Sequence, residues 1–583
     1  MDRPNNTIVS LESQSYTYEP LDTNKRSIRL LTLLPTEDHE AEIRCNIAIE
    51  EITWLSAYDA LSYTWGPPSD NSPNLIYLNG YQTVVSRNLH SALRALRGPV
   101  RRHLWVDAVC INQEDNDEKS KQVPMMDLIY GKATRTLVWL GNESERSDLA
   151  MARLASVKHK EDLENISEAE NEAIGCLLTR PWFSRVWVVQ EFSLAKKVVF
   201  HCGSMSFLWS PVEKVLRTLI RMNELSASSR RESKIPETEI LEKLSGSQVL
   251  LRLLMDRMGI SRELHGGFVR ERSFHFLLEK HIHLEASRPH DRIYGLLALG
   301  KSMKVKLSNS PPITYAESAT NVNIAWAKWM IESSKKLDIL FACQKTTTEP
   351  GLPSWAPSWK ARDKERFVPN FSSAMLLFNA ASGLRYIRYN LHSNKVGNFR
   401  SPRFSFSDNS QLLSVAGKQI AILDKTYQFK AVGPEYFRRL IQYLPNGYLS
   451  GESQSWQDEE KERKMREGAV KKITINGTPV QAWTDWQMAK DYAAARKKTP
   501  ARLEKLKYVV ETNRVHFISK SGCEGLAPKE TRVGDVLCLF KGMETPFVLR
   551  PVEETYKLIG ECFVDGYMTG WGSTGKTQTY VLC

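Results

Sequence analysis

Two rhythms of hydrophobic and polar positions alternate through the N-terminal part of this chain. Short apolar runs with strand character lie at Ser27–Leu33, Ile43–Ile49, Ala60–Thr64, Leu104–Val106, Thr136–Leu140 and Lys197–His201. Between them, apolar residues recur at helical spacing over Leu89–Leu96, Lys119–Tyr130, Glu172–Leu178 and Val186–Leu194. In the second of these, Val123, Met126, Ile129 and Tyr130 share one face. Leu75–Leu78 and Gln82–Val85 flank Asn79-Gly80, a strong hairpin signal. Asn88 is placed as N-cap of the helix that follows. Gly66-Pro67-Pro68 ends the Ala60–Thr64 strand. Strand–helix alternation predicts an α/β domain: a mostly parallel sheet with helices on both faces.

The pattern changes further along. Residues 1–25 are polar and expected as a disordered tail, and residues 26–210 hold the α/β domain. Residues 211–380 are helix-rich with Pro/Trp loops, and 381–530 form a mixed, charged stretch with β-like Leu412–Leu423 and helical runs at Asp458–Lys471 and Lys490–Lys507. Residues 531–583 carry short β runs broken by Gly and Pro, a small β-rich terminal unit.

With 583 residues the chain can bury several cores, and its net charge of +12 is spread among interspersed charges of both signs. That balance favours solubility over a dedicated nucleic-acid stripe. Nine cysteines show no C-x-x-C pair, as expected of reduced thiols inside a cell. No apolar h-region opens the chain and no apolar run is long enough to span a bilayer, so a cytoplasmic protein is expected.

The candidate chemistry concentrates in one loop. Asp107, Asn112 and Gln113 follow the strand Leu104–Val106, at the carboxyl end where α/β sheets bind ligands. Internal Asx-turn bonding of the loop is the competing reading. The surrounding wording, LWVDAVCINQ through IYGKATRTLVWLG, resembles the heterokaryon-incompatibility (HET) domain of filamentous fungi. Two further motifs strengthen the resemblance: YDALSYTWG at Tyr58–Gly66 and RPWFSRVWVVQE at Arg180–Glu191. The segments Pro289–Leu299, Pro353–Trp359 and Gly534–Met568 are similar to stretches that follow the domain in full-length fungal members.

Trp187, a four-residue step to Glu191, then an apolar strand also resembles the catalytic position of Toll/interleukin-receptor (TIR) domains. The resemblance implies a TIR-like fold and makes NAD the substrate to consider, with Glu191 as catalytic residue. Cleavage of the nicotinamide–ribose bond builds positive charge on the sugar, which a fixed carboxylate stabilises. Trp65, Gly66, Asp107, Asn112, Gln113 and Trp187 are the candidate nucleotide-binding residues, Trp65 as a stacking surface at the pocket mouth. The structural alternative is that Glu191 pairs with Arg180 or Arg185.

Other signals weaken on inspection. Cys110 has no histidine in the core motifs to activate it. Gly570–Thr577 satisfies the P-loop expression, yet only six residues of β-like composition follow, so no helix can receive a phosphate. The histidines show no metal-ligand spacing. The HET resemblance implies non-self recognition and programmed cell death, self-association through the domain, and a protein trigger of unknown identity. A non-enzymatic, self-assembling signalling module and a basic nucleic-acid-associated protein stay open as alternatives.

Overall fold

The structure is a computed structural model. It describes residues 16–228 apart from 23, 39, 54–56, 67–73 and 145, together with 248–264, 274–343, 349–359, 402–428, 514–543, 546–564 and 576–583. The chain divides into two compact units. One is Met1–Met222, Ser233–Val322 and Trp359–Lys364, and the other is Asn223–Glu232, Asn323–Ser358 and Glu365–Cys583.

The first unit is built on nine strands: β1 (Ser27–Leu33), β2 (Arg44–Glu51), β3 (Asp59–Tyr63), β4 (Asn74–Leu78), β5 (Tyr81–Val85), β6 (Arg102–Trp105), β7 (Arg135–Trp139), β8 (Val198–Cys202) and β9 (Met205–Leu208). Their order is β5-β4-β2-β1-β6-β3-β7-β8-β9. The α/β expectation holds, but the sheet is mixed. Parallel pairing joins β6, β3, β7 and β8 at the centre, and β2 to β4. The remaining pairs are antiparallel: β4–β5 and β8–β9 are joined by two-residue turns, β1–β2 by a connection too short for a crossover, and β1 also pairs β6 antiparallel. β3 (DALSY) is buried at every position, as a strand covered on both faces must be.

The Asn79-Gly80 turn forms as expected, both residues having positive φ (51° and 91°). Two local expectations are corrected. Helix Arg87–Leu96 is capped by Ser86, whose Oγ accepts from Leu89 N–H at 3.2 Å. Asn88 lies inside that helix and bridges the Thr64 carbonyl (2.6 Å) and the Trp139 indole (2.9 Å). The helix expected over Lys119–Tyr130 is two helices, Asn116–Gln122 and Met126–Lys132, with a 3-10 turn Val123–Met125 between them. Pro124 lacks the N–H that a continuous helix needs, so the ladder breaks there.

The expected boundaries also move. Of the tail, residues 1–15 lie outside the described residues, but Tyr18 is anchored: its Oη donates to Val109 O at 3.1 Å. At the other end the unit runs past residue 210. Arg257 donates to Phe192 O (2.9 Å) and Ala195 O (2.5 Å) and is held by Glu213 at 3.0 Å. It thereby serves the unsatisfied carbonyls at the end of the helix Val188–Ser193.

The second unit is β-rich and draws on more of the chain than 531–583. Its strands are β10 (Phe404–Phe406), β11 (Leu413–Gln428), β12 (Arg514–Ser519), β13 (Glu524–Pro528), β14 (Val536–Phe540), β15 (Phe547–Val552), β16 (Thr555–Glu561), β17 (Phe563–Val564) and β18 (Thr577–Leu582). The long β11 pairs with both β14 and β18, so β14-β15-β16-β18-β11 closes on itself as a small barrel. Leu423, Leu537, Val548 and Ile559 pack in a core shared with Phe517 of β12 and Ala527 of β13. The helical runs expected at Asp458–Lys471 and Lys490–Lys507 lie outside the described residues, as does most of the P-loop-like Gly570–Thr577. A strand, not a helix, begins at Thr577.

Candidate functional site

The three sequence motifs meet at the carboxyl ends of the parallel strands. Ser62 and Tyr63 end β3, and Asp107 begins a single helical turn directly after β6. Pro181–Ser184 forms a 3-10 turn that presents Trp182, and Glu191 stands on the six-residue helix Val188–Ser193, every residue of which is buried.

These elements enclose a buried polar cluster. The Ser62 hydroxyl donates to Glu191 Oε2 at 2.5 Å, and the Trp182 indole N–H donates to Ser62 Oγ at 2.7 Å. The chain Trp182→Ser62→Glu191 fixes the carboxylate from one side. Arg185 donates to the Tyr63 carbonyl. Its charge faces both Glu191 and Asp107. Burial dominates the electrostatics and raises the Glu191 carboxyl to about 7; Arg185 and the Ser62 hydrogen bond oppose the rise, and Asp107 adds to it. Burial likewise raises Asp107, against Arg185 and the Trp65 hydrogen bond.

The sequence-selected residues divide into three groups. Trp65 and Asp107 come together, the indole N–H donating to Asp107 Oδ2 at 2.9 Å, with Trp65 41% exposed at the rim and Gly66 beside it at φ 76°. Asn112 and Gln113 spend their side chains on the loop. Asn112 Oδ1 accepts from Glu114 N–H at 3.2 Å, and the Gln113 amide donates to Asp107 O at 2.9 Å. Trp187 turns elsewhere: it packs by Gly295, where an added Cβ would meet its ring at 3.6 Å, on the side of Asp291.

The ion-pair alternative for Glu191 is not what forms. Arg180 instead donates to Leu140 O and Asn142 O, both at 2.8 Å, and neither arginine makes an ion pair with Glu191 among the described residues. Cys110 is fully buried, its thiol pushed up to about 12, which leaves no thiolate for chemistry. Sequence reading missed Ser62, Tyr63 and Trp182 as neighbours of Glu191. All three sit within the motifs already singled out, so their presence there was the available signal.

Trp182 offers a direct check on the cluster. Replacing it by Phe removes the donor to Ser62 and leaves a gap in a fully buried site. The expected cost is about 2–4 kcal/mol, read from urea denaturation. A cost below about 0.5 kcal/mol would show that the indole does not hold Ser62 in place.

Residues 58–191 match the family model for the Heterokaryon incompatibility protein (HET), and residues 459–579 match the Het-6 beta-barrel domain. The chain is 24% identical to the "Heterokaryon incompatibility protein 6, OR allele" of Neurospora crassa, over 97% of this chain and 98% of that protein. No solved structure matches. The three motifs all fall within the match to the HET family model, and the chain is similar along its length to a fungal heterokaryon-incompatibility protein.

Proposed function

We propose that this protein acts in fungal non-self recognition, and that its response is cell death driven by cleavage of NAD at the Glu191 cluster. The observation that carries the chemistry is a buried carboxyl raised to about 7, set at the carboxyl ends of parallel strands β3 and β6. Strongly perturbed titratable groups cluster at functional sites, and the carboxyl ends of parallel strands are where α/β sheets bind ligands. Water replaces nicotinamide at the ribose carbon. The ionised Glu191 carboxylate stabilises the cationic sugar as the bond breaks. Trp65 and Asp107, half-exposed at the rim, are placed to stack on a base and contact a ribose hydroxyl.

Glu191 is only 1% exposed, so a substrate reaches it only after side chains move. The described state is therefore the resting one, and the trigger opens it. The same observation favours a second reading, a module that kills by self-assembly without chemistry, in which Glu191 is structural.

The test is expression of the full chain in a fungal host, with NAD and viability followed for the parent and for Glu191→Gln. The full chain is required because Arg257 and Gly295 pack the helix that carries Glu191. NAD loss and death, both abolished by the substitution, are expected. Death that persists with NAD intact would replace this reading by the assembly module. The active form is the ionised one, so turnover by purified, triggered protein rises between about pH 6 and pH 8. A flat profile there would remove Glu191 from the reaction.

A further inference from the structure

A second site lies away from Glu191, at the outer end of the β1–β2 hairpin. A cavity of about 610 Å³ is lined there by Tyr16, Glu19, Arg29, Ile47, Ile49 and Tyr81, with Asn79 at its edge. That volume is in the range of ligand pockets.

Three features of it point to one kind of occupant. The first is one backbone position on the outer edge of β2, Ile49. Ile52 N–H bonds Arg26 O and Leu34 N–H bonds Arg44 O, so the even-numbered residues of β2 direct their backbone groups to β1 and the odd-numbered ones direct theirs outward. Cys45 O accepts from Asn79 N–H (2.9 Å). Ile47 is paired by a side chain that imitates a strand, its N–H donating to Asn79 Oδ1 (2.8 Å) and its carbonyl accepting from Asn79 Nδ2 (3.1 Å). Beyond Asn79 the imitation stops. Among the described residues, nothing pairs with the outward N–H and carbonyl of Ile49.

The second feature is apolar surface beside that edge: Ile49 is 39% exposed and Tyr81 42% exposed, and Tyr16 packs edge-on to Tyr81 at 6.4 Å. The third is an unused donor. Arg29 is 1% exposed and lines the cavity, and its Nε–H has no partner although both terminal nitrogens are bonded. A buried donor without an acceptor is costly unless something supplies one.

We propose that this groove binds an extended peptide by adding a strand to the outer edge of β2 at Ile49. One side chain enters the cavity between Tyr81, Tyr16 and Ile47, against Arg29, which lines it. Alternate side chains turn to the opposite face, where Glu50 is exposed. Glu19 stands at the rim. These carboxylates select basic residues flanking the apolar one. The site is independent of the Glu191 reading and suits a partner that reports non-self to the domain.

The probe is a fluorescein-labelled, capped heptapeptide in which Lys alternates with Val and a central Phe, titrated into full-length protein by anisotropy. Saturable binding is expected, with the Ile49 amide gaining protection from hydrogen exchange. Tyr81→Ser, at an exposed position, and Ile49→Pro, which removes the outward donor together with the isoleucine side chain, each weaken it at least about tenfold. The same peptide N-methylated on the edge-facing amides does not bind. Absence of saturable binding by the parent overturns the proposal. So does equal binding by the Tyr81→Ser variant, whose folding its melting curve verifies. Equal binding of the N-methylated peptide also overturns it, because charge attraction alone would then explain the signal.

Discussion

Glu191→Gln is expected to make the protein more stable above neutral pH while it abolishes the proposed NAD cleavage. The folded state holds the Glu191 carboxyl at about 7 against an ordinary value of 4.5, so between those two pH values the native protein keeps a proton that the unfolded chain has released. Stability falls with rising pH wherever the native state binds more protons. The Glu191 contribution is thus intact below pH 4.5 and lost by the time pH passes 7, a swing of about 3 kcal/mol. Glutamine has no charge to bury and still offers an oxygen to the Ser62 hydroxyl. Its amide N–H groups recover only part of the carboxylate's bonding, which reduces the gain to about 1–3 kcal/mol. The variant and parent therefore match near pH 5 and separate by pH 8 in urea denaturation. Asp107 is raised as well and adds to the rise of Glu191, so the pair is compared as a unit in parent and variant. A variant less stable than the parent at pH 8 would mean that the Glu191 charge is a structural asset, and would favour the non-enzymatic reading. Stability gained with function lost is the pattern of a residue kept for chemistry.

The α/β alternation was legible because each strand of the parallel centre lies at a short apolar run and the segments between carry apolar residues at helical spacing. The antiparallel β4–β5 hairpin was announced by Asn79-Gly80, but the pairings of β1 with β6 and β8 with β9 were not, since a short apolar run carries no sign of the direction in which it will pair. Pro124 and Ser86 show the same limit at the scale of single residues. One proline splits an apolar stripe that otherwise reads as unbroken, and Ser86 caps a helix whose pattern alone points to Asn88. At the site, the motif residues were legible as a group, but their contacts were not. Asn112 and Gln113 look as ligand-ready as Asp107, yet their side chains close the loop on itself. The barrel was readable only at its C-terminal end, because β11 lies far upstream and joins it through pairings that no local pattern encodes.

Arg29→Met is expected to destabilise the first unit by about 3–5 kcal/mol, the largest loss anticipated for a single substitution outside the Glu191 cluster. Arg29 projects from β1 beneath the loop that follows β6. Its two terminal nitrogens grip both oxygens of Glu118 (2.6 and 3.0 Å), and it also donates to Cys110 O and Glu19 O. Tyr18 covers its guanidinium face at 4.8 Å. Glu118 in turn accepts from Asn112 N–H at 2.8 Å, so this one ion pair fixes the loop that begins at Asp107. Methionine fills much of the volume but leaves Glu118 nearly buried and unpaired, which is where most of the cost arises. Arg29→Met combined with Glu118→Met should therefore recover more than half of the loss, since apolar replacement of both partners removes the stranded charge. The Asn112 N–H still lacks its acceptor, which keeps recovery incomplete. Urea denaturation of the parent, both single variants and the double variant closes the cycle. Additive losses would show that the pair does not act as a unit, and the loop would then owe its position to Gln113 and Lys119, which bond Asp107 O and Gln113 O.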